Sequence, residues 1–145
     1  MNDLCDDEIV LHLQKEVPAD VSRGWLQAYH FDILMKQNRE KIGSIDLRIG
    51  YTTPIVRYGG HLGYGIESKH RGNRYAAKAC KLLLPLAKQH GMDIIWITCN
   101  PDNFASRRTC EIIGAELVEV VDLPPDNDQY RDGERQKCRY RIAVY

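Results

Sequence analysis

Apolar and polar residues alternate along the first half of this chain, and past residue 75 the apolar positions change to helical spacing. Residues 8–14 read as a first strand. Phe31 to Lys36 and Lys41 to Ile49 read as a hairpin closed by the polar turn Gln37-Asn38-Arg39-Glu40. In the second arm Ile42, Ile45, Leu47 and Ile49 mark a buried side, and Gly43-Ser44 breaks the alternation as a bulge does. Residues 18–28 stay open between a capped turn (Pro18, Asp20, Ser22) and a short apolar face of Val21, Trp25 and Leu26. Tyr51 to Tyr58, with Pro54, predicts a loop with extended ends. The glycine-rich run 60–66 alternates again, and its glycines allow a ligand or another backbone to come close, or mark a bulge.

From Tyr75 to His90 the pattern becomes helical, with Tyr75, Ala79, Leu82, Leu83 and Leu86 on one side and Lys78, Lys81 and Lys88 on the other. Pro85 removes a backbone donor and crowds the carbonyl of Lys81, so a kink or an early end is expected there. Gly91 is the stop signal. Ile94-Ile95-Trp96-Ile97 predicts a strand covered on both faces. Asp102 or Asn103 caps a second helix that runs through Ile113 to Gly114. Leu117 to Leu123 reads as a strand, 124–134 as a polar acidic loop, and Lys137 to Tyr145 as a last strand paired with 117–123. The order β-β-β-β-α-β-α-β-β, with helices late, predicts an α+β fold.

A length of 145 residues fits one domain with a real core. The formal net charge is zero, which removes the basic surplus expected of a nucleic-acid binder. The five cysteines are odd in number and none is spaced C-x-x-C, as for reduced thiols in a cytoplasm. The histidines are scattered without ligand spacing, so no metal site is expected. The apolar runs are too short to span a bilayer, and the acidic start lacks a signal-peptide layout.

The chemistry gathers in two segments. Arg71-Gly72-Asn73-Arg74-Tyr75-Ala76 is a basic, glycine-bearing turn between a strand and a helix. Such a turn holds phosphate, because free N–H groups and the helix dipole both face the anion. Cations at a helix start oppose the dipole, so Arg71 and Arg74 are either solvated or matched by a ligand phosphate. The second segment is Asn100 to Ala115, where Asn103, Ser106 and Cys110 share one helix face. No G-x-x-x-x-G-K-S/T, full dinucleotide fingerprint or kinase loop set is present.

These two segments resemble the signatures of the GCN5-related N-acetyltransferase (GNAT) family. The turn reads Arg71-x-x-Arg74-x-Ala76 against R/Q-x-x-G-x-G/A, with Arg74 in place of the middle glycine. The second reads Asn103, Ser106, Cys110, Glu111, Gly114, Ala115 against N-x-x-A/S-x-x-x-Y-E-x-x-G-F/A, with Cys110 in place of the tyrosine. The resemblance covers residues 40–123 best, and the part before residue 30 is short for the family.

It implies a single domain over 1–145 with a mixed, mostly antiparallel twisted sheet, a splayed central strand pair and flanking helices. It implies a cytoplasmic enzyme carrying acetyl from acetyl-coenzyme A to a primary amine of a small molecule or protein, in a ternary complex. It implies neither nucleic acid nor membrane as partner and admits a homodimer. The alternative is a non-catalytic acyl-coenzyme A-binding regulatory module.

By carry-over, Gly65, Ile66 and Glu67 give backbone contacts to pantetheine. Arg71, Gly72, Asn73, Arg74, Tyr75, Ala76 and Ala77 cradle the diphosphate. Asn103 and Ser106 meet the pantetheine arm, or serve as a helix cap and a backbone-bonded serine. Arg107 and Arg108 reach a phosphate or are solvated, the latter being favoured. The acid that serves the thiolate is Cys110, or that thiol is only a small buried hydrophobe. Glu67, His61 and Tyr64 are the candidate bases, each with sheet packing or surface as the ordinary role. The acidic loop 126–132 can attract a cationic amine or stay solvated.

Overall fold

A computed structural model describes residues 1–144, so the expected strand position at Tyr145 lies outside the described residues. Five antiparallel strands form the first sheet in the order β1 (Leu4–Cys5), β2 (Ile9–Val17), β3 (Gln27–Met35), β4 (Lys41–Ile49) and β5 (Leu62–Ile66). The remaining elements are α1 (Tyr75–Gln89), β6 (Ile94–Cys99), α2 (Phe104–Ile113), β7 (Glu116–Asp122), α3 (Asp128–Arg131) and β8 (Gln136–Ala143). The second sheet has the order β6-β8-β7, so the last strand fills the middle and pairs with both β6 and β7. The fold is α+β, as the element order predicts.

Local pattern accounts for most of these elements. β3 pairs with β4 with Ile33 opposite Gly43 and Leu34 opposite Lys41, which leaves Ile42 as the bulged residue beside the glycine. The alternating apolar residues of β2, β3 and β4, among them Ile9, Leu11, Phe31, Ile33, Ile45 and Leu47, are buried in one core. α1 lays Leu83, Leu86 and Ala87 onto that core and packs against β2, β4, β5 and α2.

Four expectations are corrected. The segment after Tyr51 is no extended loop: Ile55–Gly59 forms a wide helical turn with Pro54 at its start. The helix does not end early at Pro85: α1 runs through to Gln89, because burial of Leu83 and Leu86 holds both sides of the proline. Each such side chain stabilises by about 1.5–3 kcal/mol, against the ~3 kcal/mol of an interior proline. β6 is covered unequally, with Ile95 and Ile97 buried and Ile94 and Trp96 half-exposed. The acidic loop carries the short helix α3, capped by the Asn127 side chain on the N–H of Gln129.

β5 and β6 are the neighbouring edges of the two sheets. The His61 N–H donates to the Trp96 carbonyl at 2.6 Å, yet the strands belong to separate sheets. Gly60 makes this approach possible: a Cβ there would stand 3.0 Å from the Thr98 nitrogen, and its φ is +73°. The edge of β5 beyond the join is left open, and the site is built along it.

Candidate functional site

The turn after β5 holds a row of free donors. Among the described residues, no acceptor takes the backbone N–H groups of Gly72 through Ala77. Gly72 (φ +86°) and Arg74 (φ +63°) are both left-handed, which winds the chain into the start of α1. Arg74 stands at the cap position with no side-chain cap bond. Arg71 Nε donates to the Ile66 carbonyl at 2.9 Å, and Asn73 Nδ2 donates to the His70 carbonyl at 3.1 Å.

A cavity of about 600 Å³ lies over this turn. Arg71, Gly72, Arg74, Tyr75 and Ala76 line one end, Gly65 and Ile66 the strand side, and Asn103 and Ser106 the opposite helix. Asn73 and Ala77 are not among the lining residues: Asn73 braces the turn, and the Ala77 side chain is buried in the core. A Cβ added at Gly65 or Gly72 meets no atom within 4 Å, so both backbones front open space. Free N–H groups, two guanidinium groups and an open strand edge fit a diphosphate joined to an amide-bearing arm.

Register decides which backbone groups of β5 face the cavity. Gly65 pairs opposite Ser44, and the Glu67 N–H donates to the Ile42 carbonyl at 2.8 Å. Main-chain groups of Gly65 and Glu67 therefore turn toward β4, and those of Tyr64 and Ile66 turn to the open edge. Sequence reasoning selected Gly65, Ile66 and Glu67, and pairing parity retains only Ile66 as a slot-facing backbone.

On α2, Asn103 caps the helix, its Oδ1 accepting the Ser106 N–H at 3.1 Å. The Ser106 hydroxyl lies 2.8 Å from the Tyr64 hydroxyl, and the Cys110 sulfur lies 3.9 Å from the same phenol. Burial holds the Tyr64 phenol well above its ordinary range. Burial also pushes the Cys110 thiol up to about 12, and its side chain has no exposed surface. Arg107 turns away to the Tyr140 hydroxyl and the Pro101 carbonyl, whereas Arg108 lines the cavity while pairing with Glu111. Sequence reasoning missed Ala105, Thr109 and Ile112 on the lining; their i, i+4, i+7 spacing was the available signal. His70, the first residue of the basic turn His70-Arg71-Gly72-Asn73-Arg74-Tyr75-Ala76, was given no role from sequence, and it lines the cavity as well.

His61 and Glu67 are not brought to the cavity. The Trp96 N–H donates to His61 Nδ1 at 2.9 Å, and Nε2 donates to the Gly50 carbonyl at 2.7 Å. Both ring nitrogens are thus engaged in the neutral Nε2–H tautomer, and burial lowers the pKa further. The ring is fully buried and clasps the join between the sheets. Glu67 is exposed beyond the end of β5 and lines neither cavity.

A second cavity of about 220 Å³ lies on the other side of Tyr64. Tyr64, Asn103 and Ser106 line both cavities and form their common wall. The smaller one is polar, with Arg48, Asn100, Gln129, Glu134 and Lys137 around it. Thus the acidic loop does reach the site, through Gln129 and Glu134 rather than through Asp126 or Asp132. Among the described residues no group of three or more His, Cys, Asp or Glu is placed to hold a metal ion, and no helix is long and apolar enough to cross a membrane.

Comparison with known proteins agrees with this fold. Residues 4–116 match the family model of the acetyltransferase (GNAT) domain. An acetyltransferase of the GNAT family from Bacillus anthracis superposes with TM-score 0.63 at 20% identity, over 79% of this chain and 66% of its own length. A ribosomal-protein alanine acetyltransferase from Vibrio fischeri superposes with TM-score 0.72 at 13% identity, over 99% and 97%. A ribosomal-protein α-N acetyltransferase in complex with coenzyme A gives TM-score 0.71 at 12% identity, over 99% and 98%. No match to the chain is found among curated protein sequences.

Proposed function

The chain belongs to the GNAT acetyltransferase family, with acetyl-coenzyme A as its acyl donor, and from that premise we propose that it acetylates a primary amine by direct attack in a ternary complex. The coenzyme supplies an acetyl thioester. The larger cavity takes that donor and the smaller takes the amine. The observation that carries this reading is the common wall of Tyr64, Asn103 and Ser106 between the two cavities.

The turn supplies the binding. N–H groups of Gly72 to Ala77 hold the diphosphate, with Arg71 and Arg74 adding charge. The main-chain groups of Tyr64 and Ile66 align the pantetheine arm as an added strand would, and Gly65 leaves the approach open. In the transfer an N–C bond forms and the C–S bond breaks, so the proton lost by nitrogen must reach sulfur. The hydroxyls of Tyr64 and Ser106 stand between the two cavities and can hold and pass that proton. Cys110 has no exposed surface and lines neither cavity, whereas Tyr64 and Ser106 line both, which argues against Cys110 as the acid. His61 and Glu67 do not serve as the base in this reading.

One observation favours the binding-only alternative: the residue at the family's tyrosine position is a buried thiol. A melting curve with acetyl-coenzyme A, followed by an amine panel read by thiol release, separates the two. The expected result is a raised Tm and amine-dependent thiol release. A raised Tm with no release from any amine would establish the binding module instead.

A further inference from the structure

The smaller cavity carries features that the transfer reaction alone does not require. Among the buried side-chain oxygens and nitrogens of the described residues, Gln129 Oε1 is the one without a hydrogen-bond partner. Its amide nitrogen donates to the Tyr58 carbonyl at 3.4 Å, which directs the oxygen away from that contact. A buried acceptor without a donor is costly, and a ligand N–H would complete it.

Beside it, the Glu134 carboxylate is fixed from two sides, by Asn100 Nδ2 at 2.8 Å and Lys137 Nζ at 3.3 Å. Lys137 is itself only 7% exposed and donates to Asn100 Oδ1 at 2.8 Å. The lysine is therefore already matched by an acid. Arg48 is not: its Nη1 donates to the carbonyls of Gly60 (2.8 Å) and Gly59 (3.4 Å), and among the described residues it makes no ion pair. The lining residues thus set two cations against one carboxylate, and Arg48, whose neighbour Asp46 is paired with His30 and outside ion-pair distance of it, presents a guanidinium built for bidentate anions.

We propose that this cavity is an acceptor subsite for a small zwitterionic amine of amino-acid size. Its nitrogen is received by Gln129 Oε1 and Glu134, and its carboxylate by Arg48. The inference rests on the acetyltransfer reading above. A volume of about 220 Å³ equals roughly seven waters at ~30 Å³ each, enough for one amino acid. The surplus positive charge disfavours diamines and lysine side chains. An N-terminal residue of a protein has its carboxyl group tied up in an amide, so it leaves Arg48 unmatched.

The test uses the full chain with acetyl-coenzyme A and four acceptor types: free α-amino acids, their carboxamides, a diamine and a short peptide. Thiol release is measured for each, and binding of each to the coenzyme-loaded protein is measured by calorimetry. Free amino acids should exceed their carboxamides at least tenfold in kcat/KM. Arg48→Gln should reduce that preference at least tenfold. Gln129→Leu, which removes the unpartnered oxygen, should raise KM for amino acids without lowering Tm. Carboxamides, peptide or diamine acetylated as well as free amino acids would overturn the subsite and leave the acetyltransferase reading intact. Thiol release from none of them, with amino acids still bound through Arg48, would overturn the transfer reaction and leave the subsite. Amino acids that neither bind nor react would overturn the subsite.

Discussion

Replacing His61 with alanine separates its two readings, base and clasp. The variant removes a fully buried ring that bonds the Gly50 carbonyl and the Trp96 N–H. Each of these partners is then left unsatisfied, at about 1–3 kcal/mol apiece, and the cavity left behind adds to the loss. A destabilisation of about 3–6 kcal/mol is expected, a large part of the ~5–15 kcal/mol of a typical domain. At this size Tm should fall by roughly 10 °C.

The pH dependence carries a second signature. Burial depresses the folded-state pKa of His61, so the contribution of the neutral ring is complete above the unfolded value near 6.5. Below that value the unfolded chain takes up a proton and the folded chain does not. Stability is lost as pH falls toward the folded pKa, with a slope of up to about 1.4 kcal/mol per pH unit. Urea melts of parent and variant between pH 8 and pH 5 measure this directly. The difference between the two should shrink as pH falls. A variant whose midpoint is unchanged, but whose acetyl transfer is abolished, would refute the clasp and restore His61 as a base.

Gly43→Ala would drive a Cβ into the Gly65 carbonyl oxygen and place it 3.1 Å from the Ile66 Cα. Because both are backbone, β5 must shift, with an expected loss of about 1–3 kcal/mol and weaker acetyl-coenzyme A binding by calorimetry; unchanged affinity would argue that the edge of β5 is not used. Arg74→Gly relieves a left-handed non-glycine residue and should keep or raise Tm, while coenzyme affinity falls about tenfold, the ~1.4 kcal/mol of one weakened charged contact. Cys110→Ala should leave kcat within about threefold; complete loss of turnover in a folded, coenzyme-binding variant would make the thiol the acid after all. Tyr64→Phe should lower kcat at least tenfold with KM for acetyl-coenzyme A little changed, and equal kcat would remove the hydroxyl pair from the proton path.

What could be read along the chain was local. The turn Arg71 to Ala76 and the capped helix after Asn103 are contiguous segments whose backbone geometry depends on their own residues. The β2–β3–β4 meander was legible in part from alternation, since period two marks the buried face of a strand. Boundaries slipped where neighbours decide them: β3 begins at Gln27 because β2 and β4 extend to meet it.

The remainder was set by contacts between residues far apart in sequence. Alternation marked His61 as a strand residue, but only the approach of β6 showed both its nitrogens in use. The glycine-rich pattern of β5 did not say which edge faces the cavity; pairing with β4 did. The smaller cavity gathers Arg48, Asn100, Gln129, Glu134 and Lys137 from four separate segments, and no spacing links them. Such a site depends on sheet order and strand register, which arise when the two sheets meet at His61 and Trp96. The chain by itself therefore determined where a row of free backbone donors stands beside two arginines, through groups close in sequence. The folded molecule alone decided what can stand beside it, because that is a matter of which distant side chains are packed into one place.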